Sequence, residues 1–130
     1  MATDRILVDT SIAIEFFRKK KKDETVLHGL LTGYSVLYVS VITYFELLCG
    51  AKSQALLDDT TQLLELFEII DFREPEAKNA ASLFQDLKQR NAMIGLADIF
   101  IAATAIEHDL PLATLNRAHF ERISSLHIIP

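Results

Sequence analysis

From Ile94 to Ala105 the chain reads Ile-Gly-Leu-Ala-Asp-Ile-Phe-Ile-Ala-Ala-Thr-Ala, a helix-length segment that is apolar on nearly every side and carries one carboxylate, Asp98. A helix of this kind is normally buried rather than laid on a surface, so other elements must cover it from more than one direction. Ala102 and Ala105, four and seven residues after Asp98, leave its face small-sided, so backbone or a ligand can come close. Two accounts of Asp98 stand at this point. Gly95 can cap the helix and leave Asp98 at the third helical position, where free N–H groups and the helix dipole favour an anion. Alternatively, the acid belongs to a site.

With 130 residues, half of them hydrophobic, the chain can bury one core and is expected to form a single domain, 1–130. No internal repeat or low-complexity linker divides it. A net charge of -5 and a pI near 5.3 argue against a protein that coats nucleic acid non-specifically. They leave a nuclease open, because an acid cluster that holds a cation makes its own site negative. The apolar runs are too short or too interrupted to span a bilayer, and the N-terminus lacks a basic-then-apolar signal pattern; a cytoplasmic protein without a membrane partner is expected. The single cysteine, Cys49, excludes an internal disulfide and a thiolate zinc site and is expected to pack as a small core residue.

Ile6-Leu7-Val8 reads as a buried strand that ends at Asp9, with Thr10 and Ser11 opening a helix through Phe17. Arg18, Lys19, Lys20, Lys21 and Lys22 form a solvated run, either a plain exposed helix end or an arm that steers phosphate. A helix is predicted from Asp23 to Leu31, broken at Gly33, followed by a strand over 36–39 and a helix from Ser40 to Gly50. Inside the latter, Glu46 lies among apolar residues; Thr43 and Glu46 also match a capping box, while Gly50 clears space on the same face. An amphipathic helix over 53–67, with its leucines mainly in the core, precedes a strand over 68–71. Pro75 starts a helix to about Arg90, with Asn91 left-handed at its end. After the Asp98 helix come a strand over 110–114, a turn and short helix over 115–120, and a terminal strand at 128–129. Alternating strands and helices imply one three-layer α/β/α domain around a mainly parallel sheet of four or five short strands.

Asp9, Glu46 and Asp98 each stand beside a strand end or helix start within an apolar stretch. Each alone can be a helix cap. A parallel sheet, however, puts its carboxyl ends on one edge, where ligands bind. Clustered carboxylates repel and stay ionised together only around a cation; an oxygen-only set selects Mg2+ or Mn2+ over zinc.

The blocks Leu7-Val8-Asp9-Thr10-Ser11, Ser40-x-x-Thr43-x-x-Glu46-Leu47-x-x-Gly50, Ile94-Gly95-x-x-Asp98-Ile99-x-Ile101-Ala102-Ala103 and Leu112-Ala113-Thr114-x-Asn116-x-x-x-Phe120 resemble the PIN domain, and more closely the VapC-type toxins of toxin–antitoxin pairs. The resemblance spans nearly the whole chain. It implies a PIN-like fold and a metal-dependent ribonuclease that hydrolyses RNA phosphodiesters to 5′-phosphate and 3′-hydroxyl ends. By the same resemblance Asp9 and Asp98 ligate the cation, Glu46 ligates through water or orients the nucleophile, and Thr10, Ser11 and Thr114 hydrogen-bond the ligands. The sequence departs where many members carry a fourth acid: Asn116 stands there, with His119 at the neighbouring acid position, which points to one metal rather than two. Asn91 replaces the usual glycine before the third block. Implied partners are RNA, an antitoxin of the VapB kind whose C-terminal segment enters the acidic groove, and a second copy of the chain in a homodimer. Arg18 to Lys22 and Arg117 are candidate RNA contacts. Two rivals remain: a catalytically impaired PIN-fold binding module, and an aspartyl-phosphate phosphatase or phospho-acceptor domain using Asp9.

Overall fold

The computed structural model describes residues 4–130. Four strands form the sheet: β1 (Arg5–Val8), β2 (Val36–Ser40), β3 (Glu68–Ile70) and β4 (Leu112–Ala113). All pair in parallel, in the order β3-β2-β1-β4. The expected fifth strand is reduced to one bridge, Leu112 to Ile128, so the end of the chain clips onto the outside of β4.

Successive residues of a strand face opposite ways, and β1 uses both faces. Ile6 and Val8 enter a core with Ile12, Leu27, Leu47 and Leu63, under α1 (Thr10–Arg18), α2 (Val26–Gly33), α3 (Val41–Gly50) and α4 (Gln54–Leu64). Leu7 enters a second core with Leu87, Ile99, Ala102 and Phe120, under α5 (Glu74–Gln89), α6 (Leu96–Glu107) and α7 (Arg117–Phe120). Burial on both faces explains why β1 is a continuous apolar run rather than an alternating one. The three-layer expectation holds. So does the burial of α6, in which Ile99 and every residue from Ile101 to Ala105 are inaccessible to solvent.

Side-chain caps set several boundaries. Thr25 Oγ1 accepts from the His28 N–H and starts α2 at Val26; a separate 3-10 turn covers Lys22–Glu24, so the single helix expected from Asp23 is two elements. Gly33 is the last residue of α2 and has no positive φ. Asn91 is left-handed at φ 54°, as expected, and Asp109 adopts φ 52° after α6.

Three expectations change. Ser40 Oγ accepts from the Thr43 N–H at 3.2 Å and caps α3 one turn earlier than a Thr43–Glu46 box requires, so Glu46 is released from capping. Leu63 and Leu64 of α4 are buried, but Leu56, Leu57 and the following Leu66 are 44%, 37% and 51% exposed, because the apolar stripe is wider than the surface that packs against it. Cys49 is exposed rather than packed. No helix among the described residues is long and apolar enough to cross a membrane.

Candidate active site

Strand order reverses at β1, which is flanked by β2, the next strand in the chain, and by β4, the last. Ligand sites of open parallel sheets lie outside the carboxyl ends at such a reversal. Asp9 follows β1 there, and its N–H donates to the carbonyl of Ala113 on β4 at 2.9 Å.

Asp9 is 3% exposed and stands at the N-cap of α1, yet its side chain makes no cap bond. Instead Oδ2 accepts from Ser11 Oγ at 2.8 Å and Thr114 Oγ1 at 2.7 Å. Both hydroxyls are held in turn: Ser11 Oγ accepts from the Leu115 N–H and Thr114 Oγ1 from the Asn116 N–H. Burial pushes the Asp9 carboxyl above its ordinary range; the Thr114 and Ser11 hydroxyls oppose that shift, and the negative charge of Asp98 adds to it. The two acids therefore share one field.

Glu46 reaches across from α3 to α1, where its Oε1 accepts from Thr10 Oγ1 at 2.7 Å. Thr10 Oγ1 is also 3.0 Å from the hydroxyl of buried Thr43. Glu46 is thereby fixed next to the residue that follows Asp9, and it lines a small groove with Ile14, Phe17, Arg18, Leu47 and Leu56. A Cβ added to Gly50 would meet nothing within 4 Å, so that glycine lies beside open space rather than under a close contact.

Asp98 sits in the first turn of α6, and Gly95 at the N-cap makes no side-chain bond. The helix-start location holds, but the carboxylate also reaches outward: Oδ2 is 3.0 Å from His119 Nδ1 on α7. The same ring nitrogen lies 2.8 Å from the Asn116 side-chain amide. A carboxylate accepts only, so Nδ1 carries the proton toward Asp98, and the Asn116 amide presents its oxygen, the two amide atoms being interchangeable in shape. The sequence marks Asn116 and His119 only as occupants of acid positions; the contact to Asp98 depends on α7 folding back over α6.

The structure thus brings Asp9 and Asp98 into one field and anchors Glu46 to Thr10, the residue that follows Asp9. Among the described residues, no three His, Cys, Asp or Glu side chains stand as a preformed cation cage. The donor set still suits a hard divalent cation: two carboxylates in each other's field, one of them deeply buried, and a third acid held by a neutral hydroxyl.

The basic run lies at the other end of α1, roughly 13 Å along a nine-residue helix from Asp9. Lys19 pairs with Glu15 at 3.3 Å and Lys21 with Glu24 at 3.9 Å. Lys22 donates to the carbonyls of Phe16 and Phe17 and lies over the Phe16 ring, closing the C-terminus of α1. Arg18 lines the Glu46 groove, and Lys20 is exposed. Arg117 donates to the Ile129 carbonyl at 2.6 Å.

A four-stranded parallel sheet with acids where its strand order reverses is the framework of an α/β domain whose functional edge lies at the carboxyl ends of its strands. The chain belongs to the PIN domain family, which it matches over residues 6–126. It is 35% identical over 119 residues to a protein from Methanocaldococcus jannaschii named ribonuclease VapC1, covering 92% of this chain and 81% of that one. It is 34% identical to ribonuclease VapC1 of Rickettsia felis, with 95% and 94% covered. Among solved structures, VapBC-1 from nontypeable Haemophilus influenzae superposes with a TM-score of 0.85 at 26% identity over 96% of each chain. FitAB bound to a DNA fragment gives 0.83 at 30% identity over 95% and 93%.

Proposed function

We propose that this protein is a divalent-cation-dependent ribonuclease and the toxin of a toxin–antitoxin pair. One observation carries the reading: Asp9 and Asp98, 89 positions apart in sequence, lie in a common negative field at the reversal of the sheet, each held by donors from another segment. Kinship with proteins named ribonucleases supports the substrate class.

Asp9 and Asp98 would hold the cation, Mg2+ or Mn2+, which when bound supplies Lewis-acid activation of water and of the phosphodiester. Ser11 and Thr114 hold the Asp9 carboxylate from two directions. Thr10 aims the Glu46 carboxylate, which places a proton acceptor beside the cation-binding acids. We place the reaction in the cytoplasm.

The partner reading has its own support. Phe16, Phe17, Leu56, Leu63 and Leu66 line an apolar groove between α1 and α4, and Phe17 and Leu56 continue into the groove of Glu46. The structural neighbours include toxin–antitoxin complexes. An antitoxin segment with an apolar face followed by a cation fits this path, the cation ending at Glu46. A homodimer is part of the same reading, and light scattering of the purified chain tests it.

The deciding experiment incubates a generic RNA with the protein and Mg2+. The expected result is cleavage to 5′-phosphate ends, lost on chelation and reduced by at least about 100-fold in Asp98→Asn. Cleavage that ignores chelation, or an equally active Asp98→Asn, refutes the assignment. RNA binding without any cleavage would instead favour an inactive binding module, the reading to which the Asn116–His119 pair lends weight.

A further inference from the structure

We infer that His119 is a positioning residue for Asp98: its Nδ1–H holds one carboxylate oxygen so that the other is presented to a divalent cation. This rests on the cation reading above and adds a residue to it.

The three acids are anchored in one style. Asp9 is held by two hydroxyls, the nearby Ser11 and the distant Thr114, and Glu46 by one, Thr10 on α1. Asp98 lacks a hydroxyl partner among its described hydrogen bonds; its donor is the imidazole on α7. Nothing in its own helix substitutes, since α6 begins at Gly95 without a side-chain cap, and a Cβ there would stand 4.0 Å from Asp98 Oδ2. An unanchored Asp98 in the field of Asp9 would rotate toward solvent, because like charges separate when nothing holds them.

The ring itself is held in place. The following residue, Phe120, is fully buried and pins α7 to the core, while the Asn116 amide stands 2.8 Å from the same Nδ1. Asn116 also donates its backbone N–H to Thr114 Oγ1, the hydroxyl that donates to Asp9. One short segment, 114–119, therefore grips both acids, and His119 is the half of the grip that closes on Asp98. Donors that orient metal-binding carboxylates contribute on the order of 10- to 100-fold in metal affinity.

The test is Mn2+ binding to the full chain by calorimetry at one fixed pH above neutrality, for wild type, His119→Ala and His119→Asn. Asparagine puts an N–H near the place of Nδ1 but cannot act as an imidazole. The expected result is that His119→Ala weakens Mn2+ binding by about 10- to 100-fold and that His119→Asn recovers most of the loss. The ring is 43% exposed, so neither variant opens the core, and circular dichroism monitors folding. Equal or tighter Mn2+ binding by the alanine variant overturns the inference, as does an asparagine variant no better than alanine. A wild-type chain that binds no Mn2+ overturns the cation reading itself, which separates the two failures.

Discussion

Glu76 offers a measurement of how much one buried charge holds this fold together away from the site. It is 4% exposed, in the first turn of α5; Oε1 accepts from the Arg73 N–H at 2.9 Å and Oε2 is 2.5 Å from His108 Nε2 at the end of α6. Burial opposes its ionisation, but the Arg73 N–H and the His108 ring outweigh that effect and hold the carboxyl below its ordinary range. Replacing Glu76 with Ala removes a helix cap and leaves two polar groups without their partner. A lost cap is worth about 1 kcal/mol, and the lost hydrogen bond from the carboxylate to the half-exposed His108 ring roughly another 1–2. A total of about 2–3 kcal/mol corresponds to a fall in Tm of roughly 8–12 °C for a domain of this size. The sign with pH follows from the depressed pKa: the stabilisation is complete above the ordinary glutamate range and disappears as pH falls through the lower folded value. Urea melts of wild type and Glu76→Ala from neutral pH to about pH 3 should therefore converge at the acid end. A gap that persists unchanged in acid, or a neutral-pH difference below about 0.5 kcal/mol, would refute the argument.

Asp9 has the opposite sign. Its raised pKa means that ionisation costs the folded, cation-free protein stability as pH rises, so Asp9→Asn should raise the neutral-pH Tm by a few degrees while Mn2+ binding is lost; calorimetry and thermal melts read both. Lys22 and Lys20 should separate as well. Lys22→Ala removes the closure of α1 and should lower stability by about 1 kcal/mol, whereas Arg18→Ala with Lys20→Ala should leave Tm unchanged and reduce the slope of RNA affinity against salt by about one for each phosphate-binding cation removed.

The parts of this molecule that were legible in the sequence are those set by local pattern. Ile6-Leu7-Val8 followed by Asp9 could be read because an apolar run buried on two faces has a period that only a central strand satisfies, and the Asp98 helix because its apolar character admits no surface. Glu46 was ambiguous for a local reason. Ser40 and Thr43 both offer helix starts within one turn, and only the Thr43 N–H bonding to Ser40 decides between them. Other features depend on distant packing that no spacing encodes: the His119 contact and the exposure of Leu56 and Leu66.

The anchors of Asp9 and Glu46 are hydroxyls, and that choice has an electrical consequence. Ser11, Thr114 and Thr10 orient carboxylates without cancelling them, as lysine or arginine in the same places would. The carboxylates are thus oriented while their charge stays uncancelled, which is the condition under which the proposed cation, or a cationic side chain of the proposed antitoxin, would be drawn to them.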